Sequence, residues 1–105
     1  MIYLQREVIV NDLMHSFKPL MENHQLEDIA VFEEEGEGDT YYMGYSVRKN
    51  DSEYMIHRPF KKNEKDELTP VSNEWVIESD AGDNIEARGF ENLDEVFEQI
   101  NNGLS

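Results

Sequence analysis

Cysteine is absent from the chain. That absence excludes disulfide bonds, zinc–thiolate centres, iron–sulfur clusters and thiol nucleophiles by composition. Long apolar runs are missing as well: no stretch approaches the roughly 20 apolar residues of a membrane-spanning helix. The opening residues, Met1 to Glu7, lack the basic and apolar regions of a secretory signal. A cytoplasmic location with no membrane partner is the expectation. Positive charge is scarce, with 9 Lys and Arg against 24 Asp and Glu and a net charge of −15. A field of that sign repels phosphate backbones, so no nucleic-acid partner is expected.

Chemical motifs are equally sparse. The chain has no Gly-rich phosphate loop, no dinucleotide fingerprint opening a helix, and no Gly-x-Ser-x-Gly elbow around any serine. Its three histidines, His15, His24 and His57, do not stand at the i, i+4 spacing that brings two imidazoles to one metal. These absences lead to an expectation of no enzyme, no cofactor and no metal, with catalytic, cofactor-binding and metal positions all unassigned.

At 105 residues the chain is long enough for one hydrophobic core and too short for two, so residues 1–105 are read as a single domain. Between residues 6 and 24 the apolar positions Val10, Leu13, Met14, Phe17, Leu20 and Met21 recur at three- and four-residue spacing, the pattern of one helix face. Pro19 cannot bond the carbonyl of His15, so the helix should kink or restart there, with Lys18 pushed away from α geometry. Residues 28–34 are short and β-branched, which reads as a strand, and Gly36 and Gly38 supply the positive φ angles of a reversal.

Residues 40–49 alternate, with Tyr41, Met43, Tyr45 and Val47 on one parity and Tyr42, Gly44, Ser46 and Arg48 on the other. A two-residue turn at Asn50-Asp51 would pair Val47 with Tyr54, Tyr45 with Ile56, Met43 with Arg58 and Tyr41 with Phe60. The other face would then set Arg48 against Glu53 and Gly44 against His57. Residues 61–67 are fully polar and lead to Pro70, so residues 61–70 read as a mobile connection. A strand over residues 74–79, a reversal at Asp80-Ala81-Gly82 and a strand to Gly89 would pair Ile77 with Ile85 and Trp75 with Ala87. Asn92 and Glu95 form a capping box for a short final helix carrying Leu93, Val96, Phe97 and Ile100, which Gly103 closes. The expected fold is therefore α+β: an antiparallel meander of four to five strands flanked by an N-terminal and a short C-terminal helix.

Within that frame three features carry chemistry. The acidic run from Glu33 to Asp39 offers oxygens to a hard cation, but its spacing does not match a calcium loop and a solvated turn explains it. Six of the nine basic residues, Arg48, Lys49, Arg58, Lys61, Lys62 and Lys65, fall on or beside the central hairpin between two acidic ends. Pairing with those ends is simpler than nucleic-acid binding. His57 lies opposite Gly44 at an open spot on the sheet where a general base could sit, although a strand histidine is far more often a surface residue. Tyr42, Gly44, His57 and Pro59 share one face and are the candidate protein-contact residues, since tyrosine favours interfaces.

The segments Asp28-Ile29, Phe32-Glu33-Glu34-Glu35-Gly36, Tyr41-Tyr42-Met43-Gly44-Tyr45, Tyr54-Met55-Ile56-His57 and Leu93-Asp94-Glu95-Val96-Phe97 resemble a family of small, acidic bacterial proteins whose function is unknown. The resemblance implies a bacterial, cytosolic and non-enzymatic protein and brings no site residues with it. The expected role is a non-catalytic interaction module whose partner is another protein or a second copy. The alternative is an acidic DNA mimic that inhibits a DNA-binding enzyme, its carboxylates standing where phosphates would.

Overall fold

A computed structural model describes residues 2–49, 51–79 and 86–101. Two N-terminal helices, α1 (Arg6–His15) and α2 (Phe17–His24), precede β1 (Asp28–Glu35), β2 (Thr40–Lys49), β3 (Ser52–Lys62), β4 (Leu68–Pro70), β5 (Trp75–Ser79) and β6 (Glu86–Phe90). Helix α3 (Leu93–Asn101) follows. The strands form one antiparallel sheet in the order β1-β2-β3-β5-β6, with β4 paired to the far end of β3. The fold is thus α+β with a meander at its centre.

The N-terminal helix does restart, at Ser16 rather than Pro19. Ser16 donates its N–H to the carbonyl of Leu13 at 3.2 Å, and Leu20 donates to the carbonyl of Ser16 at 3.0 Å. Pro19 therefore sits in the first turn of α2, where a backbone N–H has no intrahelical partner and none is missed. Lys18 remains helical, contrary to the expectation that it would be displaced.

The central hairpin follows the expected register pair for pair, from Val47 with Tyr54 to Tyr41 with Phe60, and Gly44 faces His57. Asp51 takes the left-handed conformation at φ 65°, while Asn50 lies outside the described residues. In the preceding turn Gly38 alone has the positive φ that was expected of Gly36 too.

Two pairings differ. Residues 61–70 are a hairpin, not a mobile connection. Asn63 Oδ1 accepts the N–H groups of Lys65 and Glu67, each at 2.9 Å, which folds the chain back. Leu68 is then buried against β3 and bridges Leu4. In the β5–β6 pair, Ile77 faces Ala87 rather than Ile85, and Trp75 faces Phe90 rather than Ala87 across a bulge. A two-residue slip leaves every side chain on the same face, so alternation does not distinguish the registers. The reversal expected at Asp80-Ala81-Gly82 and the closing Gly103 lie outside the described residues.

All three helices pack on one face of the sheet. Leu20 from α2 and Val96, Phe97 and Ile100 from α3 meet Tyr45, Val47, Ile56 and Ile77, while Ile9 from α1 joins Met43, Phe60 and Leu68 in a second cluster. Each large apolar side chain buried here stabilises by roughly 1.5–3 kcal/mol. Polar ties fix the helices in place. Arg6 holds Glu33 of β1 in a two-armed ion pair, Tyr45 donates its hydroxyl to the carbonyl of Leu13 at 3.0 Å, and Lys49 donates to the carbonyl of His24. The Arg6 guanidinium and the Tyr41 hydroxyl hold the Glu33 carboxyl below the usual range. Helix α3 starts as the capping-box residues dictate, with Asn92 Oδ1 accepting the N–H of Glu95 at 2.9 Å.

The His24 ring stacks on Phe97 at 4.3 Å. Burial and, to a lesser degree, Lys49 pull its pKa below the ordinary 6.5, against the opposing pull of Asp94. The fold holds the neutral ring, so this contribution is present above the ordinary pKa and is lost as pH falls through the folded value. The melting temperature of the wild type relative to His24→Phe should therefore decline between about pH 7.5 and about pH 5.5. A difference that stays flat in paired thermal melts would contradict this assignment.

Candidate functional site

On the face opposite the helices, one row crosses the sheet as Phe32, Gly44, His57 and Val76, from β1 through β2 and β3 to β5. The neighbouring row places Glu34, Tyr42 and Pro59 side by side. The four candidate contact residues, Tyr42, Gly44, His57 and Pro59, are thus brought together as adjacent cross-strand pairs.

Gly44 organises this face. A Cβ built there would lie 1.9 Å from the carbonyl oxygen of Ile56 and 2.7 Å from Cα of His57. Both obstacles are backbone, so neither can swing aside. With no side chain between them, the rings of Phe32 and His57 close over the glycine at 5.3 Å, nearly parallel, and Tyr42 meets the imidazole edge-on at 5.3 Å. Aromatic rings that shield a strand glycine restore the packing that the glycine itself lacks.

His57 is therefore not a surface residue. It is 6% exposed, and its Nε2 lies 3.0 Å from Oε1 of Glu78. An Nε2–H donating to that carboxylate leaves Nδ1 as a bare acceptor, and Nδ1 is buried without a hydrogen-bond partner. A general base needs one nitrogen within reach of a substrate proton. In this arrangement Glu78 occupies one nitrogen and the neighbouring rings enclose the other.

The basic residues of the central hairpin do not form one patch. Arg58 and Lys62 share the parity of the helix-covered face, whereas Arg48 and Lys61 share the other. Lys62 pairs with Glu35 at 3.3 Å and lies over the Tyr41 ring, and Lys49 is engaged by the His24 carbonyl. Beside Lys62 a cavity of about 650 Å³ opens between Arg6, Tyr41, Lys65 and Asp66, with both signs of charge on its walls. At the acidic hairpin tip, Glu33 is committed to Arg6 and Tyr41. Among the described residues no group of three His, Asp or Glu side chains is placed to hold a metal ion. No helix among them is long and apolar enough to cross a membrane.

A model for a family of unknown function, DUF5634, matches residues 3–100. The chain belongs to that family. The match extends from the approach to α1 into the last turn of α3, so it takes in the whole sheet and all four candidate contact residues. No curated protein matches the chain. The resemblance read from the sequence thus holds at the level of family, and the family brings no assigned residue to this face.

Two features escaped sequence reasoning. Phe32 enters the sequence reading as a strand residue and in a family-like segment with no role of its own, yet it supplies the ring that covers Gly44. Arg58 was counted with the basic hairpin, although its place in the series Tyr54, Ile56, Arg58, Phe60 marked it as a cation on the core parity. Substituting Gly44→Ala should destabilise the protein by about 3 kcal/mol or more, because backbone must move to admit the methyl group. Urea unfolding would measure this, and a loss below about 1 kcal/mol would show that the strands separate easily.

Proposed function

We propose that the chain is a non-catalytic interaction module of the bacterial cytosol that binds another protein through the helix-free face around Tyr42, Gly44, His57 and Pro59. What supports this reading is the asymmetry of the sheet. The three helices pack on one side, while Phe32, Tyr42, Met55, Pro59 and Val76 form a half-buried apolar band on the other. Exposed charges at Asp28, Glu34, Arg48 and Glu53 border that band. An apolar, aromatic middle within a charged rim is the composition of a protein interface. Because the band rides on strands locked by Gly44, a partner would meet a preformed surface and little ordering entropy would be lost on binding.

A second reading, a DNA mimic that occupies a DNA-binding enzyme, draws on the exposed carboxylates Glu34, Glu35, Glu37 and Asp39 at one end of the sheet and on the net charge of −15. The two readings separate by salt dependence and by the location of sensitive residues. Affinity capture from bacterial lysate should use the tagged wild type beside Met55→Arg and Val76→Arg, with folding checked by circular dichroism. A protein partner of the sheet face should survive about 0.5 M salt and be lost with both variants, since apolar burial is not screened. A DNA-binding enzyme released early in the gradient and indifferent to both variants would favour the mimic instead. A salt-resistant partner that binds both variants as well as wild type would overturn the sheet-face assignment.

A further inference from the structure

The core is divided into two clusters, and Arg58 lies at the division. On β3 the residues facing the helices are Tyr54, Ile56, Arg58 and Phe60, so an arginine occupies a position between two side chains that are 0% and 3% exposed. It stands where the β5 pairing of β3 has ended at His57 and the β4 pairing begins at Phe60. The guanidinium carbon lies 5.2 Å from the ring centre of Trp75 and 5.3 Å from that of Phe60. The two rings hold the cation by its faces but take up none of its five N–H donors.

Among the described residues, the guanidinium forms no ion pair and donates no hydrogen bond. That is unusual in a chain with 24 carboxylates and 9 basic side chains. A partly desolvated cation without a counter-charge is costly. Burial indeed pulls the Arg58 guanidinium below its ordinary pKa, against the opposing pull of Tyr45. Arg58 forms part of the wall of a cavity of about 170 Å³ between α1 and the sheet, whose other walls include Ile9, Leu13, Met43 and Trp75.

We propose that this cavity binds a small organic carboxylate with an apolar body, its two oxygens taking N–H groups of Arg58 and its carbon chain lying against Ile9, Leu13 and Met43. The planar guanidinium matches a carboxylate in two parallel hydrogen bonds, and the charge-assisted pair supplies a counter-charge that none of the described residues gives Arg58. The apolar walls select against a small hydrated anion. Asp12 also lines the cavity, but it is solvent-exposed and makes no ion pair with Arg58. Pockets for drug-sized molecules measure roughly 300–1,000 Å³, so this one takes a smaller ligand, of the size of a short-chain or arylacetic acid. The site is on the opposite side of the sheet from the proposed protein interface, and neither reading depends on the other.

Trp75 is the only tryptophan and lines the cavity, so its emission reports occupancy. The test is a fluorescence titration of the full chain with hexanoate, octanoate and phenylacetate, each beside its primary amide. At least one acid should give a saturable change and bind about tenfold or more tighter than its amide, the charge-assisted hydrogen bonds being absent from the amide. Arg58→Met should abolish that preference, and Arg58→Lys, which keeps the charge but not the fork, should weaken binding several-fold. Should Arg58→Met fail to fold, the acid–amide ratio on wild type and the Arg58→Lys variant still decide the matter. Three results would overturn the proposal: no saturable change up to about 10 mM of any acid, equal binding of acid and amide, or wild-type affinity in Arg58→Met or Arg58→Lys.

Discussion

The ladder between Thr40–Lys49 and Ser52–Lys62 is the constraint on which the remaining elements are built, and its tightest point is Gly44. There the partner strand comes so near that a Cβ would meet the backbone of Ile56 and His57. An antiparallel pair slipped by one residue would exchange its faces. Here the same slip would also push the side chain of Met43 or Tyr45 toward that crowded position. Register, face and strand spacing are therefore set together at one residue. Tyr45, Val47 and Ile56 go to the core, and His57 goes to the opposite side with Phe32 and Tyr42.

From that ladder the rest follows by attachment. Strand β1 adds to β2 with Phe32 beside Gly44, and the Arg6–Glu33 pair carries α1 along with it. Strand β5 adds to β3 with Val76 beside His57, which brings Glu78 within reach of the imidazole. Helices α2 and α3 then cover the same face as α1, joined by the His24–Phe97 stack. The result is a two-layer molecule whose one uncovered side is partly sealed by its own aromatic rings, and whose covered side carries Arg58 between its two core clusters.

Legibility in the sequence varied with how much of the answer was local. The β2–β3 register could be read because a two-residue turn and two matching alternations agree on one solution, and the structure repeats it through Tyr41 and Phe60. The final helix could be read because Asn92 and Glu95 announce its start and Val96, Phe97 and Ile100 its face. The Ile77 pairing was misread because registers two residues apart place the same side chains inward, so nothing local prefers Ile85 over Ala87. The hairpin at residues 63–68 was misread as a mobile connection because its polar run hides two non-local facts: the capping reach of Asn63 and the burial of Leu68 against a chain segment near Leu4. The candidate contact residues were legible as one face. The burial of His57 was not, since it depends on Phe32 arriving from a different hairpin.

Composition and periodicity by themselves determined the class of the fold, the order of its longer elements though not the short strand Leu68–Pro70, the central register, and the exclusion of every chemistry that needs a thiol. Each of these follows from short-range spacing or from residue counts, which the chain carries before it folds. Only the tertiary structure decided which side of the sheet the helices cover, that His57 is enclosed and held by Glu78, and that Arg58 lies between two rings at the edge of a cavity. Those outcomes depend on groups distant in the chain meeting across strands. No local pattern encodes such meetings, because alternation assigns a residue to a face without saying what that face will touch.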